Sequence, residues 1–258
     1  MPAFGEGAPC WADAALPDLA AGRRFYGELL GWTFEDQGEE YGNYTMALRD
    51  GKAAAALMSA MEPGTPAAWS LYFSTADAAR TAAEVGKAGG RVVFGPHPVG
   101  EAGVMAVAVD PAGSNFGLWQ PGGHPGFGTV NEPGAFCWAE IVTQDAEAVD
   151  AFYTALFGYQ GRQFGGGADF DYKAFSLPGG ENPVLGRLKD TSGGRTGFQV
   201  YFTVADCDEA AATVRRLGGE VVFGPQDSPF GRTALVADDQ GARFAVIDTQ
   251  RTVGEVPA

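Results

Sequence analysis

The feature that most constrains this chain is an internal repeat. The tetrapeptide CWAD at 10–13 returns as CWAE at 137–140, and Phe25-Tyr26 returns at the same spacing as Phe152-Tyr153. Further on, GGRVVFGP (89–96) returns as GGEVVFGP (218–225), and VDPAGSNFGLW (109–119) returns as ADDQGARFAVI (237–247). Because the order of these landmarks never changes, the sequence predicts a tandem duplication of a unit about half the chain long.

Each half is of ordinary domain size and can bury a hydrophobic core. The chain has 45% hydrophobic and 19% charged residues. This balance is typical of a globular protein and argues against a disordered one.

The charge balance excludes several classes of partner. With 32 acidic against 17 basic residues, the net charge of −15 should repel nucleic acids and anionic membrane surfaces. No apolar run is long enough to span a membrane, and the N-terminus lacks a signal-peptide pattern. Three scattered cysteines do not form a disulfide framework. We therefore expect a cytoplasmic monomer or homodimer whose partner is a small molecule.

The hydrophobic periodicity predicts the order of the secondary structure elements. Helical spacing is seen over 17–31, with Asp18 as the N-cap and Gly31 as the stop, and again over 76–90. A short strand precedes each helix, at 8–15 and 68–75. Three short strands follow each one, at 32–36, 43–49 and 53–60, and at 91–94, 103–109 and 114–120. The second half repeats this order, so the pattern is βαβββ four times.

This pattern predicts an α+β fold of antiparallel sheets with helices on one face. The other, apolar face must curl around an interior, which gives two open barrel-like cavities in four βαβββ modules. The predicted domains are 1–122 and 135–258, joined by a linker at 123–134 within a Gly/Pro-rich stretch. The triple glycine at 165–167 is interpreted as a hairpin.

The four modules resemble a known family. The segments RRFYGELLGW (23–32), DAFYTALFGY (150–159) and DPAGSNFGLW (110–119) are similar to those of the vicinal oxygen chelate superfamily. This superfamily contains glyoxalase I, bleomycin-resistance proteins and extradiol dioxygenases. The likeness is greatest to two-domain glyoxalase-like or hydroxylase-type members from actinobacteria. It implies tandem glyoxalase-like domains.

The resemblance also implies a divalent metal, with ligands at three fixed positions of each half. In this sequence those positions hold Trp11 and Trp138, Ser70 and Gln199, and Gly117 and Ala245. Gln199 alone is a suitable ligand type, whereas a catalytic metal commonly needs about three protein ligands. The two histidines, His97 and His124, are interpreted as surface residues of loops. We therefore expect no metal and no cofactor.

The alternation of strand side chains predicts the residues that line the cavities. Since the family's first ligand position faces the cavity, Trp11 and Asp13 should line one cavity, and Trp138 and Glu140 the other. Cys10 and Cys137 should then face the helices as small buried residues. The same parity turns further residues inward: Ser70, Tyr72, Trp119, Gln199, Tyr201 and Ile247.

Such cavities favour binding of an aromatic or antibiotic-like small molecule without a metal, because flat rings stack on Trp and Tyr. The alternative is an enzyme in which Asp13 and Glu140 act as acid and base, with pKa values raised by burial. It would be a cofactor-free lyase, isomerase or hydroxylase-type oxidoreductase, or a glyoxalase-like enzyme acting on carbonyl compounds. A third interpretation is that Trp11 and Trp138 fill vestigial cavities and that the two acids lie at a rim.

Overall fold

A computed structural model describes residues 4–60, 62, 64–165, 170–191, 194 and 196–254. Two residues of the predicted hairpin, 166 and 167, lie outside this description. The described part contains four α-helices: α1 (Leu19–Leu30), α2 (Ala78–Lys87), α3 (Ala146–Phe157) and α4 (Cys207–Arg216). Each follows the first strand of its module, as the sequence predicts. No helix in these ranges is long and apolar enough to cross a membrane.

Sixteen β-strands are assigned within these ranges. The N-terminal half holds β1 (Pro9–Leu16), β2 (Thr33–Asp36), β3 (Thr45–Arg49), β4 (Lys52–Ser59), β5 (Ala68–Ser74), β6 (Arg91–Val99), β7 (Gly103–Val109) and β8 (Asn115–Pro121). The C-terminal half holds β9 (Phe136–Thr143), β10 (Gln160–Gly165), β11 (Asp171–Ser176), β12 (Pro183–Lys189), β13 (Gly197–Thr203), β14 (Glu220–Ser228), β15 (Gly231–Ala237) and β16 (Arg243–Asp248).

Each half of the chain forms one eight-stranded sheet that does not close into a barrel. The strand orders are β2-β3-β4-β1-β5-β8-β7-β6 and β10-β11-β12-β9-β13-β16-β15-β14. The α+β fold is thus confirmed, but the sheets are mixed and the predicted all-antiparallel pairing is wrong. In every module the first strand pairs with the last in parallel, because the connection between them carries the helix. The domain bounds at 122 and 135 stay predictions.

The ends of the first and third helices show why the sequence stops them there. The Asp18 carboxylate accepts hydrogen bonds from the amides of Ala20 and Ala21, and Gly31 ends α1 in the left-handed conformation at φ 71°. Asp145 and Gly158 take the same positions around α3. The capping residues of this helix are therefore repeated in both halves.

Packing groups the chain into two compact units that interleave the halves. Unit 1 comprises Met1–Trp11, Ser70–Gly126 and Trp138–Gln199, and unit 2 comprises Ala12–Trp69, Phe127–Cys137 and Val200–Ala258. Each unit therefore combines a module from the N-terminal half with a module from the C-terminal half.

A buried hydrogen-bond network lies at the centre of unit 2. The Tyr26 hydroxyl donates to the Asp238 carboxylate over 2.9 Å, and Trp69 Nε1 donates to the same hydroxyl over 3.0 Å. Burial and the nearby carboxylate raise the pKa of Tyr26 well above its usual value, so the phenol keeps its proton. Asp238 also accepts from the amides of Gln240 and Ala242 and thereby closes its turn.

Unit 1 repeats this arrangement with the other copies of the same residues. The Tyr153 hydroxyl donates to the Asp110 carboxylate over 3.3 Å, and Asp110 closes its own turn by accepting from the amides of Ala112 and Ser114. The repeated Phe-Tyr pairs and the repeated turns at Asp110 and Asp238 thus have a structural role. In each unit the tyrosine of one module donates a hydrogen bond to the aspartate of another.

We expect Tyr26→Phe to destabilise the protein by about 1–3 kcal/mol, because it leaves the Asp238 oxygen and the Trp69 indole N–H buried without their partner. Tyr153→Phe removes a single, longer bond and should cost less. Urea unfolding measures both, with the exposed Tyr41→Phe as the control. A Tyr26→Phe protein as stable as the parent would contradict the structural role.

The buried aspartates should also give stability a characteristic pH dependence. Burial raises the pKa of Asp110 despite its hydrogen bonds, so the folded chain binds a proton where the unfolded chain, with a pKa of about 4, has lost it. The stability of the parent relative to Asp110→Asn should therefore fall as pH rises above about 4.

Asp208 provides a control of opposite sign. Hydrogen bonds from Arg232 hold its pKa below the usual range. The advantage of the parent over Asp208→Asn should therefore be lost as pH falls. Urea unfolding across the acid range checks both variants, and equal slopes for the two would refute the assignment.

Candidate ligand-binding site

Two predicted residues of β9, Trp138 and Glu140, form a hydrogen-bonded chain with Tyr172 of β11. Trp138 Nε1 donates to the Tyr172 hydroxyl over 3.1 Å, and that hydroxyl donates in turn to the Glu140 carboxylate. Burial, and then the charge of Glu140, raise the pKa of Tyr172, so the phenol stays protonated. All three side chains are only half-buried. We call them the Trp138 group.

Gly186 makes room for this group. It pairs with Glu140 across β12 and β9, and a Cβ there would meet the Tyr172 hydroxyl and lie 3.0 Å from Glu140 Cγ. A larger residue at 186 would push the phenol away from the carboxylate. The glycine therefore permits the chain of hydrogen bonds.

The strand register shows that the acid–tyrosine pair is itself repeated. Glu140 pairs with Gly186, which pairs with Ala174, and Tyr172 lies two residues before Ala174. In the N-terminal half Asp13 pairs with Ala56, which pairs with Met46, and Tyr44 lies two residues before it. The Tyr44 hydroxyl indeed donates to Asp13 over 3.1 Å.

Sequence reasoning missed both tyrosines. The signal was present, because the segments YTMAL (44–48) and YKAFS (172–176) each begin with tyrosine at equivalent points of the repeat. Their relation to the acids depends on β3 and β11 lying two strands from β1 and β9. The spacing along the chain does not reveal that register.

A second aromatic cluster surrounds the predicted residue Trp11. The His124 ring lies 4.4 Å from Trp11 at 83° and 5.7 Å from Trp119 at 62°, measured between ring centroids. Trp119 Nε1 also donates to the His124 carbonyl over 2.9 Å. We call these three residues the Trp11 group.

His124 lies in a loop, as expected, but it is not an exposed surface residue. Its side chain is half-buried with Nε2 enclosed, and burial lowers the pKa of the imidazole. The sequence suggested exposure because His124 lies among prolines and glycines, but these residues turn the chain back over the aromatic side chains. His97 is exposed, as expected, but it lies in strand β6 and pairs with Met105, so its placement in a loop is wrong.

The remaining predicted residues lie on β5, β13 and β16. Tyr72 pairs with Gly117 and Tyr201 with Ala245, so these two tyrosines are equivalent. Tyr72 is buried and its ring covers Gly117, where a Cβ would clash with it. Gln199 and Ile247 are buried, and Ser70 is half-buried. The site roles of Trp11, Asp13, Ser70, Tyr72, Trp119, Trp138, Glu140, Gln199 and Tyr201 stay predictions.

These positions do not fit the divalent metal that the family resemblance implies. In the N-terminal half they hold an indole, a hydroxyl and a glycine, and the Tyr72 ring takes the space over Gly117. In the C-terminal half the amide of Gln199 stands with an indole and an alanine. Within the described ranges, no group of three or more His, Cys, Asp or Glu residues could hold a metal ion.

An ion cluster around the buried Arg187 lies on the face of the sheet opposite to the Trp138 group. Arg187, which follows Gly186, is 1% exposed and bonds Asp150 and Asp171 through Nε and Nη1 over 3.0 and 2.6 Å. Its Nη1 also donates to the Asp171 carbonyl, next to Tyr172. The repeat did not reveal this cluster, because Leu57 is the register equivalent of Arg187.

Cys10 and Cys137 take similar positions in the two halves. Each thiol donates to the carbonyl of a tyrosine on the neighbouring strand, Cys10 to Tyr72 over 3.4 Å and Cys137 to Tyr201 over 3.5 Å. Burial raises the pKa of both thiols, that of Cys137 to about 11. Neither is a reactive thiolate at neutral pH.

Tandem βαβββ modules that share one strand order define a two-domain glyoxalase-like protein. Residues 11–118 match the Glyoxalase/Bleomycin resistance protein/Dioxygenase superfamily, and residues 138–247 match the Glyoxalase-like domain. The chain belongs to this superfamily.

Relatives of full length support this assignment. The chain is 38% identical to the anthracycline biosynthesis protein DnrV of Streptomyces peucetius, over 96% of this chain and 95% of that one. It is 34% identical to CFP32 of Mycobacterium tuberculosis, over 95% of each.

Solved structures share the fold. The Mn(II)-bound glyoxalase of Novosphingobium aromaticivorans superposes with a TM-score of 0.65 at 15% identity, covering 99% of this chain and 89% of that one. The 2,3-dioxygenase LapB of Pseudomonas sp. KL28 gives 0.67 at 15% identity, covering 98% and 94%. At this identity the likeness shows the fold alone.

Because the ligand positions lack donors, we expect untagged purified protein to carry well under one equivalent of Zn, Ni, Fe or Mn. Chelator should leave its melting temperature unchanged. Elemental analysis and thermal unfolding measure this. A stoichiometric metal whose removal lowers the melting temperature would show that other residues bind it.

Proposed function

We propose that this chain binds a flat aromatic small molecule that carries a hydrogen-bond donor. The observation that carries the proposal is the Trp138 group, in which an indole, a phenol and a carboxylate are linked and half-exposed. An aromatic ring can stack on the indole while a ligand hydroxyl or ammonium group donates to Glu140.

Charge narrows the class of ligand. A carboxylate accepts hydrogen bonds but cannot donate them, and the net charge of −15 makes the surroundings unfavourable for anions. The proposed ligand is therefore neutral or cationic. Tyr172 holds the indole and the carboxylate in a fixed arrangement. Its hydroxyl proton is directed to Glu140, and its oxygen accepts a hydrogen bond from Trp138.

The likeness to DnrV supports the aromatic class. DnrV is named for anthracycline biosynthesis and is similar over nearly its whole length. Anthracyclines are flat, hydroxylated polycyclic molecules, which is the shape and chemistry that the Trp138 group suits.

Catalysis is the second candidate function, and the repeated acid–tyrosine pair favours it. A carboxylate that accepts a hydrogen bond from a phenol has a short path for moving a proton to or from a bound molecule. Asp13 or Glu140 would then act as acid and base in a lyase-, isomerase- or oxidoreductase-like reaction without a cofactor. In that case Glu140→Gln should slow turnover about a hundredfold or more and leave binding largely intact.

The binding proposal is tested with three naphthalenes of similar shape. We expect 2-naphthol to bind, 2-methoxynaphthalene to bind more weakly because it lacks the donor, and 2-naphthoate to bind weakest because it is an anion. Glu140→Gln should weaken 2-naphthol binding by about 1.5–3 kcal/mol, since a charged acceptor is lost. Trp138→Phe should cost about 0.5–1.5 kcal/mol.

Thermal shift and tryptophan fluorescence titration measure these affinities. Asp36→Asn, a surface carboxylate on β2, is the matched control for Glu140→Gln. If the three naphthalenes bind equally, or if Glu140→Gln binds all three like the parent, Glu140 does not select the ligand.

A further inference from the structure

The two tryptophans at the first position of each repeat differ sharply in exposure. Trp11 is 4% exposed and Trp119 7%, whereas Trp138 is half-buried. Trp11 and Trp138 both belong to unit 1 and lie at equivalent points of the duplication. The difference therefore comes from what covers each indole.

His124 covers Trp11. Its ring meets Trp11 edge to face at 4.4 Å and also contacts Trp119. Its Nε2 is buried and has no hydrogen-bond partner among the described residues. The ring packs against two indoles, as the ring of a small aromatic ligand would.

The main chain at this position is fixed independently of the ring. The His124 amide donates to the Ala102 carbonyl over 3.0 Å, and the His124 carbonyl accepts from Trp119 Nε1. A change of side chain at 124 leaves both bonds available. Burial lowers the pKa of the imidazole, so the ring is neutral at pH 7.

The second half has no counterpart of this histidine. The repeat spacing of VDPAGSNFGLW and ADDQGARFAVI brings Thr252 to the position of His124, and residues 251–254 are exposed. Tyr72 adds to the filling of the first half by covering Gly117. Tyr201, its equivalent, is only half-buried over Ala245.

We propose that His124 is an internal plug, which occupies the aromatic pocket beside Trp11 and leaves the Trp138 group as the place where a ligand stacks. The second part rests on the proposed function. The plug itself does not, because it concerns the ligand-free chain. The duplicated pockets are accordingly unequal, and a segment outside the repeat makes them so.

Acrylamide quenching tests the plug without any ligand. The chain has five tryptophans, so the contribution of Trp11 is taken as the difference between each protein and its Trp11→Phe counterpart. We expect this contribution to be shielded in the parent and to become quenched in His124→Ala. His124→Phe should keep it shielded, because a ring of similar size remains, and His97→Ala is the matched control on the exposed histidine.

Shielding that is unchanged in His124→Ala would overturn the plug. If the alanine variant does not fold, His124→Phe still tests the proposal. Phenylalanine keeps an aromatic ring of similar size, so Trp11 should stay shielded if the shape of the ring is what fills the pocket. Exposure of Trp11 in a folded His124→Phe protein would therefore refute the proposal as well.

Binding stoichiometry tests the consequence with 2-naphthol as the probe. The parent should bind one molecule per chain and His124→Ala two. When Trp138→Phe and Glu140→Gln are added together, the parent background should bind no 2-naphthol. The His124→Ala background should then bind one molecule per chain. Two molecules bound by the parent would overturn the plug while leaving the proposed function intact. No binding by any variant would refute the proposed function, and quenching alone would then decide the plug.

Discussion

The buried tyrosine–aspartate hydrogen bond is the interaction on which the rest of this structure depends. In unit 2 it joins Tyr26 of α1 to Asp238, which also closes the turn before β16. Tyr153 and Asp110 make the same bond in unit 1. Each bond fixes a helix against a turn from the other half of the chain. The sheets that carry the candidate site residues are therefore held in place by contacts far apart in sequence.

Much of the fold could be predicted because the sequence pattern of each element occurs in both halves of the chain. The helix that begins after Asp18 and ends at Gly31 has a second copy with the same capping pattern. The interleaving of the halves could not be predicted, because a helix face shows that it is apolar but not which module covers it. Tyr172 and Arg187 were missed for a related reason: their partners are set by strand register and by the sheet face. His124 was misread because loop composition does not tell whether a loop folds back over the core.

Duplication has preserved the backbone register while the side chains around it have diverged. Asp13 with Tyr44 and Glu140 with Tyr172 keep the same pairing geometry. Behind the first pair lies the apolar Leu57, and behind the second the ion-paired Arg187. A buried guanidinium that bonds two carboxylates restricts the position of its strand more than a leucine does, because its hydrogen bonds are directional. The two halves thus offer similar chemistry on differently constrained strands.

The interleaved packing also sets what a shorter chain could do. Phe25 and Tyr26 of α1 are fully buried, and both contact Phe244, which the N-terminal half does not contain. A chain of half this length could bury them only against a second copy, in which Phe116 is the residue equivalent to Phe244. Its core would then form by association and would be lost on dilution. Fusion of two copies makes the same encounter intramolecular, so that the effective concentration is set by the connecting segment and no longer by the cell.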